Sequence, residues 1–235
     1  MNPYVVENYK KVEARVTAAC LRAGRARSEV TLIAVSKTKP AEDIQALIEQ
    51  GVTNFGENKV QEMCTKEETL QKGLSWHMIG HLQRNKVKYL MGKTCLIHSV
   101  DSLRLAQEIQ KEAAKAGIIC PVLVEINIGN EESKGGIDIN EAETLARQIA
   151  ELPNLKLNGL MCIAPFVDDA EESREHFRRM REKRDELAAL AIPGTDIREL
   201  SMGMTGDFEV AIEEGATLVR VGTAIFGERD YGQNG

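Results

Sequence analysis

The sequence has no excess of basic charge, no long hydrophobic run and no paired-cysteine motif, and each absence excludes a class of protein. Its 235 residues carry 30 Lys and Arg against 36 Asp and Glu, a net charge of −6. Nucleic acids and anionic membranes attract basic surfaces, so neither is an expected partner. No apolar stretch approaches the length that spans a bilayer. We therefore expect a soluble protein that binds neither nucleic acid nor membrane.

Cysteines are few, scattered and odd in number, and none of them forms a CxxC pair. They are Cys20, Cys64, Cys95, Cys120 and Cys162. Most of them fall in or beside predicted strands or on an apolar helix stripe, so we expect reduced thiols that pack as small hydrophobic groups. The first residues, MNPYVVENYKK, contain no hydrophobic signal core. Together these features predict a cytoplasmic protein.

Several common catalytic and binding motifs are also missing. The sequence contains no Gly-x-Ser-x-Gly elbow, no phosphate-binding P-loop and no dinucleotide fingerprint. His77 and His81 are four residues apart, but this spacing brings metal ligands together only on a helix, and the segment has the pattern of a strand and a turn. We expect no metal site there.

What the sequence does contain is a repeated alternation of short apolar runs and amphipathic segments. The predicted strands cover residues 31–35, 53–56, 76–79, 95–100, 120–128, 155–163, 197–202 and 217–226, and each but the last precedes a predicted helix. Such alternation is typical of a parallel sheet. Eight units in a chain of this length predict a single α/β domain over residues 1–235, a (β/α)8 barrel of the TIM type with an extra N-terminal helix over about residues 3–23.

An open doubly wound sheet is the alternative fold. It would place a glycine-rich dinucleotide loop after its first strand, where this chain has SKTKP.

The stretch TLIAVSKTKP, residues 31–40, carries the first candidate for chemistry. Side chains alternate along a strand, so Ile33, Val35 and Lys37 point the same way. This register places the amine of Lys37 at the carboxyl end of a buried strand. An apolar environment disfavours the charged form of a lysine and makes the amine a usable nucleophile. The alternative is that Lys37 ends the strand and extends into water.

Two glycine-bearing turns near the end of the chain form a candidate anion site. Residues 201–207, SMGMTGD, lie between the seventh predicted strand and a helix start, and residues 220–223, RVGT, close the final strand with a flexible turn at Gly222. Barrels of this class often bind phosphate with the loops after these strands. Either segment could instead be an ordinary turn, and Arg220 could pair with a surface acid. Both segments together, facing a strand-end lysine, favour a phosphorylated carbonyl ligand.

The blocks AVSKTKP, NFGEN, WHMIGHLQ, GLM, SMGM and RVGTAIFG occur in this order along nearly the whole chain. In this arrangement the sequence resembles the pyridoxal-phosphate homeostasis protein family, the YggS/PROSC type, which is similar to the barrel domain of alanine racemase. The resemblance implies that Lys37 carries pyridoxal 5′-phosphate as a Schiff base. It further implies that Ser201, Gly222 and Thr223 hold the phosphate, that Arg220 faces the pyridine nitrogen, and that Asn58, Met161 and Met204 line the ring. Thr205 stands where many members would have serine.

The function implied by this resemblance is intracellular vitamin B6 homeostasis, in which the protein stores, buffers or delivers the cofactor without robust catalysis. Apo-enzymes that receive the cofactor are possible partners, and we expect a monomer. A racemase-like enzyme that uses the cofactor is one alternative, and a cofactor-free Schiff-base enzyme such as an aldolase is another.

Alanine racemisation by two bases needs an acid–base group on each face of the substrate. In the racemases that the chain resembles, the second group is a tyrosine from an additional carboxyl-terminal β-domain. This sequence ends at Gly235, shortly after the last predicted strand, and Tyr231 is the tyrosine nearby. We therefore expect no useful racemisation of alanine.

Overall fold

The chain forms a closed barrel of eight parallel strands, which confirms the fold predicted from the sequence. The structure, a computed structural model, describes residues 4–131 and 134–228. Neighbouring strands pair in sequence order around the barrel, and the first strand closes it by pairing with the last. The strands are β1 Thr31–Val35, β2 Asn54–Glu57, β3 Ser75–Met78, β4 Leu96–Val100, β5 Cys120–Ile126, β6 Leu155–Cys162, β7 Glu199–Ser201 and β8 Leu218–Val221.

Helices surround this barrel and cover its outer face. They are α1 Val5–Arg22, α2 Ala41–Ile48, α3 Val60–Thr69, α4 Leu103–Ala116, α5 Ala142–Ala150, α6 Arg174–Ala189, α7 Phe208–Glu213 and α8 Thr223–Phe226, with 3-10 turns at Arg27–Glu29, Arg84–Tyr89, Ile139–Glu141 and Ala170–Ser173. The predicted extra helix is α1, whose buried stripe includes Val12, Val16 and Cys20. No helix in the described ranges is long and apolar enough to cross a membrane.

The alternation of side chains along each strand divides the buried residues into two cores. The larger core lies between the sheet and the helices and includes Leu32 and Ala34 of β1. The smaller core fills the barrel itself. It consists of one residue from each of five strands, Ile33, Leu96, Leu123, Met161 and Leu218. The inward side of each strand therefore leads up to the open end of the barrel, where strands end and loops begin.

Gly159 in β6 shows how closely adjacent strands approach. Its φ is +155°, and an added Cβ atom would lie 1.9 Å from the carbonyl oxygen of Glu199 in β7. Only glycine tolerates both this conformation and this approach. The glycine of the GLM block thus has a structural reason to be there.

One predicted boundary is wrong in a way that matters for the site. The last strand was expected over residues 217–226, but β8 ends at Val221 and Thr223–Phe226 is a short helix, closed by bonds from the N–H groups of Ile225 and Phe226 to the Gly222 carbonyl. A short apolar run fits a strand and a buried helical turn equally well. The first strand ends at Val35, as predicted, so Lys37 lies in the turn that follows.

Candidate functional site

A cavity of about 510 Å³ opens at the carboxyl ends of the strands. Residues that follow β1, β2, β3, β5, β6, β7 and β8 form its wall, so the chain contributes to it from nearly every βα unit. Six of the eight site residues predicted from the sequence line this cavity. They are Lys37, Asn58, Met204, Arg220, Gly222 and Thr223. The fold therefore brings together residues that are up to 186 positions apart in the printed sequence, from Lys37 to Thr223.

Lys37 reaches the cavity because of its phase along the chain. Ile33 belongs to the core inside the barrel, and both Val35 and Lys37 line the cavity above it. The inward phase predicted from the sequence thus continues past the end of β1 into the turn. Lys39 shares this phase and also lines the cavity, but its Nζ donates hydrogen bonds to the carbonyl oxygens of Gly227 and Glu228 at 3.1 and 2.8 Å. These bonds tie Lys39 to the segment after α8.

The turn that carries Lys37 rests on a buried cluster of charges that sequence analysis did not detect. Lys66 of α3 donates hydrogen bonds to the carboxylate of Glu57 at 2.7 Å, to the carboxylate of Glu62 at 2.7 Å and to the carbonyl oxygen of Ser36 at 2.8 Å. Burial raises the pKa of Glu57, and Lys66 opposes this shift. A lysine on the inner face of a predicted helix was the available signal, together with Glu57 in the block NFGEN.

Arg220 projects from β8 into the barrel and forms part of the cavity floor. Its Nη1 donates a hydrogen bond to the hydroxyl of Ser201 at 2.5 Å, and its Nη2 donates one to the carbonyl oxygen of Cys162 at 2.8 Å. Only 4% of the residue is exposed, and this burial lowers the pKa of the guanidinium. Arg220 is therefore an interior cation, and the alternative of a strand-end arginine paired with a surface acid does not describe its position.

A chain of buried hydrogen bonds continues from Arg220 across the barrel. The hydroxyl of Ser201 lies 2.8 Å from Nδ1 of His98, whose Nε2 lies 3.0 Å from Nδ1 of His77. Nε2 of His77 lies 3.1 Å from the amide oxygen of Asn54. Burial lowers the pKa of His77 to about 4 and that of His98 well below its usual value, so both rings are neutral at pH 7.

These bonds have one consistent direction. An amide oxygen only accepts, so Nε2 of His77 must donate to Asn54 and Nδ1 of His77 must accept from His98. His98 then accepts at Nδ1 from the hydroxyl of Ser201, which leaves the Ser201 oxygen to accept from Arg220. A guanidinium only donates, so the two ends of this series of hydrogen bonds, Asn54 and Arg220, impose the same order. We name this the interior relay: Asn54, His77, His98, Ser201 and Arg220.

Ser201 and Met161 are the two predicted site residues that do not line the cavity. Both are fully buried, Met161 in the core inside the barrel and Ser201 in the interior relay. The hydroxyl of Ser201 is hydrogen-bonded to Arg220 and His98 inside the barrel. Its assignment to the phosphate, and that of Met161 to the ring, stay predictions that this geometry does not favour.

The corner formed by the loops after β7 and β8 contains a different hydroxyl. Thr205 lines the cavity beside Gly222 and Thr223, and its Oγ1 accepts a hydrogen bond from the Ala224 N–H at 3.4 Å. Asp207 accepts from the Met204 N–H at 2.6 Å and closes this loop. Because α8 begins at Thr223, the Thr223 N–H has no acceptor within the helix. The corner thus offers hydroxyl and backbone donors.

The charges around the cavity are mostly positive. Among the described residues, four cations line it, Lys37, Lys39, Lys134 and Arg220, against one carboxylate, that of Asp207. Burial raises the pKa of Asp207. Since the whole chain is acidic, this local excess of positive charge favours an anionic ligand at this position.

The two histidines singled out by their spacing do not meet. His77 belongs to the interior relay, whereas the His81 side chain is 71% exposed and lies 3.9 Å from a carboxylate oxygen of Asp101. The structure therefore gives His77 a place inside the barrel and His81 a place on the rim.

Comparisons with known proteins agree with this architecture. The family described as "Alanine racemase, N-terminal domain" matches residues 12–230. The chain is 50% identical to the pyridoxal phosphate homeostasis protein of Aquifex aeolicus over 96% of this chain and 98% of that protein. It is 42% identical to the protein of the same name from Escherichia coli, with 97% of each chain covered.

Among solved structures, PipY of Synechococcus elongatus with PLP bound is 36% identical and superimposes with a TM-score of 0.79, over 92% of this chain and 100% of PipY. An alanine racemase of Clostridium difficile is 16% identical, with a TM-score of 0.76 over 97% of this chain and 57% of the racemase. At that identity the likeness concerns the fold alone.

Proposed function

The chain belongs to the family of the alanine racemase N-terminal domain and, within it, to the pyridoxal phosphate homeostasis proteins, and from this we propose that it binds pyridoxal 5′-phosphate in the cavity. In this proposal the protein stores, buffers or delivers the cofactor inside the cell and does not turn over a substrate at a useful rate. PipY, which is 36% identical to this chain, holds PLP in a solved structure, which supports the choice of ligand.

The observation that carries the proposal is the meeting of Lys37 and Arg220 at one cavity. Lys37 lies in the turn after β1 and Arg220 lies in β8, and these two strands pair side by side with Ile33 opposite Arg220. An amine that can act as a nucleophile and a permanently charged donor thus face the same space, with hydroxyl and backbone donors at the corner beside them. A phosphorylated ring with an aldehyde and an accepting nitrogen suits this set of donors.

We assign the residues to the parts of the ligand as follows. When bound, pyridoxal 5′-phosphate supplies an aldehyde carbon that a lysine amine can attack. Lys37 provides that amine, and Arg220 donates a hydrogen bond to the ring nitrogen. Gly222, Thr223 and Thr205 hold the phosphate, with Thr205 in place of Ser201 because its hydroxyl lines the cavity. Asn58 and Met204 contact the ring.

Arg220 also gives the physical reason for weak catalysis. A guanidinium keeps its proton at any ordinary pH, so the ring nitrogen beside it has to accept a hydrogen bond and stays unprotonated. Carbanion chemistry relies on the protonated ring as an electron sink, and an unprotonated ring fills that role poorly. The interior relay supports this arrangement. The Ser201 hydroxyl donates to His98, so its oxygen accepts from Arg220 and the guanidinium remains a donor.

The absorption spectrum of the purified protein, loaded with pyridoxal 5′-phosphate, tests the binding site. We expect a visible band that borohydride bleaches, with the reduced adduct found on the peptide that contains Lys37. An adduct on another lysine would refute the assignment, and a protein that takes up no cofactor would refute the proposed function. A cofactor-free Schiff-base enzyme would show borohydride trapping only with its own carbonyl substrate.

A turnover assay separates the carrier from the racemase-like enzyme. The saturated protein is incubated with L-alanine in deuterated water, and exchange at Cα and the enantiomer ratio are followed by NMR and chiral separation. We expect no steady racemisation, because the described residues that line the cavity include no tyrosine to act as the second base of the two-base route. Many turnovers per site, lost in Lys37→Ala, would favour the enzyme. Tyr231, the tyrosine considered from the sequence, lies outside the described residues.

The remaining parts of the proposal concern location and partners. We propose a cytoplasmic monomer whose partners, besides the cofactor, are apo-enzymes that receive it. The scattered cysteines support a reducing compartment, and each is a free thiol in the described ranges.

A further inference from the structure

One buried charge cluster holds both neighbours of Lys37. On one side, Ser36 donates its hydroxyl to Glu57 at 2.6 Å and accepts from Lys66 at its carbonyl oxygen at 2.8 Å. On the other side, the backbone N–H of Thr38 donates to the carboxylate of Glu62 at 2.5 Å. Lys66 joins the two sides by binding both carboxylates. We name Glu57, Glu62 and Lys66 the turn clamp.

The turn clamp places charged groups in the protein interior, where burying a charge costs free energy. Lys66 shares the inner face of α3 with the buried Val60 and Met63, and Glu57 is fully buried with its second carboxylate oxygen unpartnered. Replacing such ion pairs by apolar residues is often neutral or stabilising, so stability is a weak reason for the cluster to be there. A function at the turn is the better explanation.

The backbone conformation of the turn indicates what that function is. Thr38 has φ of +65°, a conformation that β-branched residues rarely adopt. A residue in this region persists when its surroundings hold it there, and such residues gather at functional sites. The bond to Glu62 supplies that support, immediately after Lys37. With Ser36 and Thr38 both fixed, the backbone of Lys37 has little freedom to turn its side chain away from the cavity.

We propose that Glu57, Glu62 and Lys66 are positioning residues that hold Lys37 ready for covalent attachment of the cofactor. This inference rests on the proposed function and adds residues to which the sequence gave no role. The clamp acts on the amine and not on the phosphate corner or Arg220, which are held by other strands. It should therefore matter for a ligand that reacts with Lys37 and not for one that only fills the cavity.

Two ligands separate these contributions. Pyridoxal 5′-phosphate has an aldehyde that condenses with an amine and releases water, whereas pyridoxamine 5′-phosphate has the same ring and phosphate but no aldehyde. The first variant is the double change Glu57→Gln with Lys66→Met, which removes both buried charges together. We expect its affinity for pyridoxal 5′-phosphate to fall about tenfold or more, because a misplaced nucleophile loses its effective concentration. Affinity for pyridoxamine 5′-phosphate should change by less than about twofold.

A second pair of variants tests the same inference through Glu62, at the edge of the cluster, and serves if the double variant does not fold. Glu62→Ala removes the acceptor of the Thr38 N–H and should show the same selective loss. Glu62→Gln keeps an amide oxygen that can accept this bond, so it should bind pyridoxal 5′-phosphate more tightly than Glu62→Ala. Lys11→Met is the matched control for the change at Lys66. Lys11 and Glu7 form an ion pair with the same i,i+4 spacing and the same length, 2.7 Å, as Lys66 and Glu62, but both side chains are mostly exposed.

Each outcome of these titrations either supports or overturns the inference. Selective loss of the aldehyde ligand in the clamp variants, with wild-type behaviour of Lys11→Met, supports the inference. Equal loss of both ligands, or no loss of either, overturns it and leaves the clamp a feature of folding alone. The wild-type protein and Lys37→Ala are measured beside these variants. If the wild type does not bind, or if Lys37→Ala keeps the reducible visible band, the proposed function fails, which is distinguishable from failure of the clamp.

Discussion

The hydroxyl that binds the phosphate is the assignment on which sequence and structure differ, and Thr205→Val tests it. Valine has nearly the shape of threonine but no hydroxyl, so the change removes one donor from the corner beside Gly222 and Thr223. Hydrogen bonds to a charged group contribute about 1.5–3 kcal/mol each. One such bond corresponds to a change in the dissociation constant of roughly 10- to 150-fold.

Part of that loss could come from the Ala224 N–H, which donates to Thr205 across a long 3.4 Å. Unphosphorylated pyridoxal corrects for this contribution, because it would occupy the same cavity without using the phosphate contacts. We therefore expect Thr205→Val to weaken the binding of pyridoxal 5′-phosphate by the full factor and the binding of pyridoxal by about threefold at most.

Equilibrium titration followed by visible absorbance measures both constants, and Ser201→Ala is the comparison variant. Ser201 donates to His98 and accepts from Arg220, so its removal should affect the two ligands alike. A phosphate-selective loss in Ser201→Ala, with an unchanged Thr205→Val, would refute our reading of the corner and restore the assignment made from the sequence.

Three further predictions concern the lysine register, the barrel wall and the interior relay. Lys37→Ala should abolish the borohydride-sensitive visible band and Lys39→Ala should keep it; the reverse result would mean that the register is wrong. Gly159→Ala should destabilise the barrel by about 3 kcal/mol or more in chemical denaturation, because a Cβ cannot fit against Glu199. Since the pKa of His77 falls from 6.5 to about 4 on folding, its stabilisation is complete above pH 6.5 and is lost as the pH falls toward 4. The urea midpoint should accordingly drop more between pH 7 and 5 in the wild type than in His77→Gln, and equal drops would contradict the neutral relay.

The comparison with His77→Gln is needed because another buried group titrates in the opposite sense. Burial raises the pKa of Glu125 to about 7 in the folded protein. A carboxyl whose folded pKa is raised binds its proton more tightly in the folded state, so its contribution to stability is lost as the pH rises toward 7. The difference between the wild type and the variant cancels this contribution and isolates that of His77.

Much of the fold was predictable because its signals are local. Alternating apolar runs and amphipathic segments predicted eight strands and the closed parallel barrel, and the stripe of α1 predicted the extra helix. The error at the end of the chain has the same origin. The run AIFG is apolar throughout, and only its burial as a helical turn beside Gly222 distinguishes it from a strand.

The candidate site was predictable where a residue follows from the phase of its own strand. Ile33, Val35 and Lys37 alternate on one side, and the structure keeps this phase up to the cavity. Gly222 and Thr223 were predicted from the glycine turn near the last strand and from the family resemblance. Ser201 was harder, because its segment contains two hydroxyls, and nothing local shows which of Ser201 and Thr205 leaves the barrel interior.

By itself the sequence determined the barrel, the inward phase of Lys37 and the family, since each depends on short-range pattern or on ordered motifs. Only the tertiary structure decided the partners of buried polar groups. The interior relay joins residues of β2, β3, β4, β7 and β8, and the turn clamp joins the turn after β1 to β2 and α3. A buried polar side chain must find its partner within the fold, and the nearest one lies on a neighbouring strand or helix whose register the local sequence does not encode. Closing the barrel sets all those registers at once, and that closure turns scattered polar residues into a relay and a clamp.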